Sequence, residues 1–330
     1  MFTSRKTKLA AIFTAGALAL AGCSSDGGGN GGGDAGGNGD AYTIGINQLV
    51  QHPALDAATA GFKEAFDDAG VDVEFDEQNA NGEQSTALTI AQGFAGDDLD
   101  LVLSVATPAA QATAQNIQDT PVLFTAVTDP VSAELIDSLE APGANVTGTS
   151  DVAPVDQQLD LLKELVPDAK KVGIVYASGE VNSQVQVDDA KEAAESRDLE
   201  IVTQTVTNVT EIPQAVQALG DVDAFYVPTD NLVVSGIASL VQAAESSKTP
   251  VIAAEAGTVE GGAVATLGID YTELGRQTGE MALRILRDGE DPATMPVESA
   301  KDFTYMVNED AAKRQGVTIP EAILSEAETV

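Results

Sequence analysis

From Tyr42 onward the chain alternates short apolar runs with amphipathic stretches, and it does so in two successive series. A short apolar run bounded by turn residues suits a strand buried on both faces. Strands separated by helices must pair in parallel, with helices covering both faces of the sheet. The first series predicts strands over 43–50, 73–75, 100–106, 122–127 and 145–150, and helices over 53–69, 83–95, from 108, and over 130–139. The second predicts a connecting helix over 154–166, strands over 171–177, 200–206, 222–227 and 250–254, and helices over 182–196, 211–219 and 232–244.

The two series read as weak copies of one another. Ile44-Gly45-Ile46 answers Val172-Gly173-Ile174, and both Gly45 to Val73 and Gly173 to Ile201 span 28 residues. Thr120-Pro121-Val122 answers Thr249-Pro250-Val251, and Thr107-Pro108 stands where Thr229-Asp230 stands. The expected fold is α/β: two Rossmann-like lobes with parallel sheets, facing each other across a cleft between their strand ends. A length of 330 residues suits two such units. The tail departs from the repeat, with strands over 264–269 and 301–307 flanking a long helix over 271–287. These elements read as crossings between lobes. They predict a three-strand hinge near Gly148–Asp151, Leu267–Asp270 and Ala293–Glu298. The N-terminal lobe is then 41–148 plus 267–292, and the C-terminal lobe 149–266 plus 293–330.

Composition narrows the function. Lys and Arg number 16 against 52 Asp and Glu, a net charge of −36, which repels nucleic acid and bare anionic lipid. The one cysteine, Cys23, allows no intrachain disulfide, and the one histidine, His52, rules out a multi-histidine metal site. No Gly-x-Gly-x-x-Gly follows the first strand and no Gly-x-Ser-x-Gly elbow occurs, so no enzyme, no metal and no cofactor is expected.

The first forty residues form a separate unit of sequence. Arg5, Lys6 and Lys8 precede a 12-residue apolar and small stretch over 9–20, then Leu20-Ala21-Gly22-Cys23. This is a secretory signal over 1–22. Its ending resembles a bacterial lipobox, which implies lipidation, palmitate included, at Cys23. Residues 23–40 are rich in Gly, Asn, Asp and Ser and suit a flexible tether. The folded part is therefore expected outside the cytoplasm, lipid-anchored to the cell membrane.

In open α/β sheets ligands bind where strands end and helices begin. The stretch Asp221 to Asn231 shows this best: an apolar run ends at Pro228, and Thr229, Asp230 and Asn231 then cap the following helix. Capping alone accounts for such residues; a cation-gripping role for Asp230 is the functional alternative.

Five motifs in order carry a family likeness: Gln51-His-Pro-Ala-Leu-Asp56, Ala106-Thr-Pro-Ala-Ala-Gln111, Phe124-Thr-Ala-Val-Thr-Asp-Pro130, Asn145-Val-Thr-Gly-Thr-Ser-Asp151 and Val227-Pro-Thr-Asp-Asn231. Together they resemble ABC-transporter substrate-binding lipoproteins implicated in tryptophan, tyrosine and phenylalanine uptake, over about Tyr42 to Ile319. The resemblance implies the type I periplasmic-binding-protein fold. It also implies capture of a small amino acid, aromatic or otherwise apolar, and delivery to an ABC permease. A sugar or nucleoside receptor of the same fold is the alternative, as is a ligand sensor docking on a membrane receptor. The absence of Trp and scarcity of Arg count against the sugar reading.

An amino acid needs donors for its carboxylate and acceptors for its ammonium. Thr107, Thr125, Asn182 and Ser183 stand as donors, and Asp230, with Asp129 and Glu255 behind it, as acceptor. Asn231 completes the Thr229–Asn231 cap. Tyr176, Phe124 and Tyr226 are candidates for stacking on an apolar side chain. His52 is expected to bridge the lobes through a neutral hydrogen bond. A monomer is the default for a closing clamp.

Overall fold

The computed structural model describes residues 41–300 and 302–330. The signal over 1–22, the tether over 23–40, Cys23 and Lys301 lie outside the described residues. The elements run β1 (Tyr42–Gln48), α1 (Pro53–Ala69), β2 (Val73–Asn79), α2 (Gln84–Phe94), β3 (Leu101–Val105), α3 (Thr107–Asn116), β4 (Val122–Val127) and β5 (Val146–Ser150). Then follow α4 (Val155–Leu165), β6 (Lys171–Ala177), α5 (Val181–Glu195), β7 (Glu200–Val206), α6 (Ile212–Leu219), β8 (Ala224–Val227), α7 (Asn231–Ser235), α8 (Ile237–Ser247) and β9 (Val251–Ala253). The chain closes with α9 (Ala256–Glu260), β10 (Ala265–Gly268), α10 (Tyr271–Leu283), β11 (Glu298–Ser299), β12 (Thr304–Val307), α11 (Glu309–Arg314), α12 (Glu321–Leu324) and β13 (Glu328–Thr329).

Two sheets form among the described residues. The first has the order β11-β5-β4-β3-β1-β2 and the second β13-β12-β10-β9-β8-β6-β7. All pairings are parallel except β10 with β12. Period two sorts each strand between two covering layers. Leu101 and Leu103 pack with Phe62 and Phe66 of α1 and Leu274 of α10, while Val102 packs on the other face with Phe94 of α2 and Ala110 of α3. In the second sheet Ile174 and Tyr226 face α4 and α5, and Val175 and Phe225 face α6 and α8.

The chain passes between the sheets three times: from β5 to α4, from β10 to α10, and from β11 to β12. Glu298 and Ser299 pair with Thr149 and Ser150 of the first sheet. The third passage therefore falls beyond Ser299, not near Ala293–Glu298.

Helix α10 returns to pack along α1 with almost no separation. A Cβ at Gly61 would stand 1.9 Å from Thr272 O, and one at Gly275 1.9 Å from Ala58 O. Glycine at both positions lets the backbones touch, and that contact fixes the starts of both helices at the cleft. Asp270 caps α10 by accepting from Thr272 N and Glu273 N, and Pro53 opens α1 behind His52.

Two expected helices differ. Residues 130–139 form turns instead, because Asp129 captures Val131 N and Ser132 N and Glu134 adopts a left-handed φ of 59°. The helix expected over 232–244 breaks at Gly236 into α7 and α8, where a Cβ would press 2.6 Å from Ile212 Cδ1. No helix among the described residues is long and apolar enough to cross a membrane.

Candidate ligand-binding site

The strand ends of the two sheets converge on one cleft. The first sheet brings His52 after β1, Thr107 after β3 and Thr128 after β4. The second brings Glu180 after β6, Thr229 to Asn231 after β8 and Glu255 after β9. Between them runs a cavity of about 470 Å³, lined by Val50, Gln84 and Pro108 on one side and Gly179, Glu180 and Leu232 on the other. This size suits a small-molecule site. Deeper in, His52, Asp151, Thr229, Glu255 and Tyr271 enclose only about 10 Å³ more.

Asp151, Glu180, Asp230 and Glu255 are the buried acidic side chains among the described residues, and all four line this cleft. No lysine or arginine is buried with them, and none of them joins an ion pair. Burying a charge without a partner is costly, so each carboxylate collects hydrogen-bond donors. Asp230 accepts from Val233 N at 2.8 Å, Ala177 N at 2.6 Å and Ser183 Oγ at 2.7 Å. It is the N-cap of α7 and at the same time ties α7 to β6 and α5.

Glu180 turns its Oε2 to Asn231 N, Asn231 Nδ2 and Asn182 Nδ2, at 3.1, 2.5 and 3.0 Å. Its Oε1 receives one donor, Leu232 N at 3.0 Å. Burial, and then the charge of Asp230, push the Glu180 pKa up to about 7. Burial likewise raises Asp151, Asp230 and Glu255 against the donors that hold them. Glu255 caps α9 through Gly257 N at 2.7 Å and also accepts from the Thr258 hydroxyl.

On the first lobe, Ala106 takes φ 81° and ψ 153°, a region almost reserved for glycine, and aims the start of α3 at the cleft. Thr107, 1% exposed, holds a hydroxyl with no protein partner beside the free N–H groups of the first turn. His52 Nε2 lies 3.4 Å from Asn231 Oδ1 across the cleft, and burial lowers its pKa so that the ring is neutral. Asn182 donates to Thr229 O at 2.9 Å and leaves its Oδ1 buried without a partner.

His52, Asn182, Ser183, Asp230, Asn231 and Glu255 are thus brought together, and Thr107 stands at the start of α3 beside Pro108, which lines the cavity. Others are not. The Thr125 hydroxyl accepts from Thr149, which reaches on to Thr278 of α10, so it lies inside the first lobe rather than in the cleft. Asp129 caps the turn after β4 with both oxygens, on Val131 N, Ser132 N and Ser132 Oγ. Tyr176, Phe124 and Tyr226 are core residues, with the tyrosine hydroxyls on Gln184 and Gln158. Gln186 and Tyr271 are cleft residues the sequence did not single out, and Glu180 and Asp151 carried no binding role there, although Asp151 closes both the Asn145–Asp151 motif and the expected hinge segment Gly148–Asp151.

Two parallel sheets joined by three passages, with a polar cleft between facing strand ends, define a type I periplasmic-binding-protein fold. The profile of the family described as "ABC transporter substrate binding protein" matches residues 43–330. The chain belongs to that family of extracytoplasmic solute-binding proteins. It is 40% identical over 319 residues to a "Tyrosine-binding protein" of Clostridioides difficile, covering 94% of this chain and 92% of that one. A Streptococcus pneumonia ABC domain in complex with L-Trp matches with TM-score 0.85 at 38% identity, over 88% of this chain and 100% of that one. The ligand-free, open structure of a Clostridium difficile substrate binding protein with adhesive properties matches with TM-score 0.68 at 45% identity, over 88% and 99%.

Proposed function

We propose that this protein is the extracytoplasmic solute-binding component of an ABC importer and that its guest is an amino acid with an aromatic or other apolar side chain. The observation that carries the reading is the cleft's set of four buried carboxylates with no basic side chain among them. A protonated amine entering there supplies the missing positive charge. Glu180 is its nearest acceptor in this reading, since it lines the cavity and its Oε1 holds one donor only. The guest's carboxylate goes to Thr107 and the start of α3, and Val50, Pro108 and Leu232 receive its side chain. Relatives that bind tyrosine and tryptophan support the choice of class.

The guest is handed to a membrane permease without chemistry being done on it. The chain acts as a monomer, held to the membrane by lipid at Cys23. Calorimetry with L-tyrosine, L-tryptophan and L-phenylalanine tests the reading, set against their des-amino analogues and a sugar panel. Tight binding of the amino acids and loss of binding without the amino group is the expected result. Equal binding of the des-amino acids removes the ammonium from the site. A Cys23→Ala protein that still partitions with membranes after a high-salt wash removes the anchor.

A further inference from the structure

Two hydroxyl groups, one from each lobe, meet in the cleft: Thr128 Oγ1 and Thr229 Oγ1 stand 3.3 Å apart. Gln186 of α5, buried, holds Thr229 from behind. Its Oε1 accepts from Thr229 N at 3.0 Å, and its Nε2 donates to Thr229 Oγ1 and reaches Thr128 Oγ1 at 3.4 Å. Once Thr229 Oγ1 accepts from Gln186, its own proton is directed onward to Thr128 Oγ1. Thr128 in turn donates to Asp151 Oδ1 at 2.9 Å. Asp151 accepts at both oxygens, from Thr128 Oγ1 and from Tyr271 Oη, so the chain runs one way, from Gln186 through Thr229 and Thr128 to Asp151.

The end of this chain lies in the hinge. Asp151 follows β5, where the chain leaves the first sheet, and its Oδ2 accepts from Tyr271 Oη at 2.8 Å. Tyr271 opens α10, where the chain returns. One carboxylate therefore joins two of the three passages and sets the direction of a hydrogen bond between lobes. Ser150 Oγ, donating to Thr128 O at 2.8 Å, fixes the Thr128 backbone beside it.

We propose that Asp151 is a positioning residue for lobe closure: from the hinge it turns the Thr128 hydroxyl into the acceptor that Thr229 meets when the lobes come together. The inference rests on the closing-clamp reading above and adds to it a group that touches no guest. In Asp151→Asn one of the two hydroxyl donors meets an N–H in place of an acceptor, and the direction of the chain is lost.

The test is stopped-flow dissociation of L-tyrosine and L-tryptophan, with small-angle scattering on the same samples, for wild type, Asp151→Asn, Thr229→Val and the double variant. Thr229→Val leaves the hinge untouched, so it reads the interlobe bond even where the Asp151 change weakens the fold. The loss of one hydrogen bond predicts about fivefold faster dissociation in each single variant. It also predicts less compaction on adding the amino acid and little further change in the double variant, since both act through one chain. Unchanged dissociation in Asp151→Asn, or effects that multiply in the double variant, overturns the inference while the ligand reading stands. A wild-type protein that binds none of the aromatic amino acids overturns both.

Discussion

His52 Nε2 stands 3.4 Å from Asn231 Oδ1, so a single hydrogen bond joins the start of α1 in the first lobe to the start of α7 in the second. Asn231 passes the contact on, its Nδ2 donating to Glu180 Oε2 at 2.5 Å. The imidazole is neutral because burial lowers its pKa, and so it adds no charge to compete with a cationic guest. His52→Ala removes the bond and leaves the carboxylates in place. Affinity for the amino acid is expected to fall by about 1 kcal/mol, near fivefold, as read by calorimetry.

Glu180→Gln keeps the shape of the acceptor and removes its charge. An ammonium facing it loses a charge-assisted bond, for an expected loss of about 1.5–3 kcal/mol. The pH profile gives a second measure. With a pKa of about 7 in the empty protein, Glu180 carries a proton below neutrality that an ammonium must displace. Wild-type affinity for L-tyrosine is expected to decline from pH 8 to pH 5, and the Glu180→Gln profile to be flatter. An equally steep profile in the variant assigns the titration elsewhere.

Stability of the empty protein moves the opposite way. The folded pKa of Glu180, about 7, lies above its ordinary value of 4.5. The folded state thus holds a proton that the unfolded chain releases, and the stabilisation, fully present below about pH 4.5, is lost as pH rises through 7. Asp151, Asp230 and Glu255, also raised by burial, add to the same direction. Urea unfolding of the ligand-free protein is expected to show stability falling between pH 5 and pH 8, less steeply in Glu180→Gln.

Asp230→Ala separates architecture from recognition. Its carboxylate already serves Val233 N, Ala177 N and Ser183 Oγ, so its removal strips the α7 cap and leaves buried donors unpaired. The cap alone accounts for about 0.5–2 kcal/mol of folding stability. Thermal unfolding without ligand is therefore expected to drop clearly in this variant, and by much less in Glu180→Gln.

The two-lobed α/β fold was legible because each strand is an apolar run and each helix opens with capping chemistry at a repeated spacing. Asp230 was legible for the same reason: the residue that caps α7 after β8 also stands at the cleft, with Asn231 beside it, while Asn182 and Ser183 lie in the first turn of α5. Thr125 falls outside the cleft because two further residues of β4 follow it, and its hydroxyl answers to Thr149, which reaches on to Thr278, partners that only the folded first lobe brings near. Glu180 drew no binding role among 52 acidic residues. Its burial depends on N–H groups of Asn231 and Leu232, fifty positions along, and no local pattern encodes that. The turns over 130–139 were missed because Asp129 offers the same signal whether it starts a helix or a turn.

The contact between Gly61 on α1 and the backbone of α10 has a consequence for synthesis. The first sheet's strands through β5 leave the ribosome well before α10, whose residues come only after β6 to β10 of the second sheet. Until Tyr271–Leu283 emerges, the glycine face of α1 and the aromatic cluster of Phe62 and Phe66 behind it lack their cover. The nascent protein must therefore keep a half-dressed amino-terminal lobe out of trouble while the rest is made, and a ribosome stalled before α10 should display a protease-sensitive intermediate that the finished chain never shows.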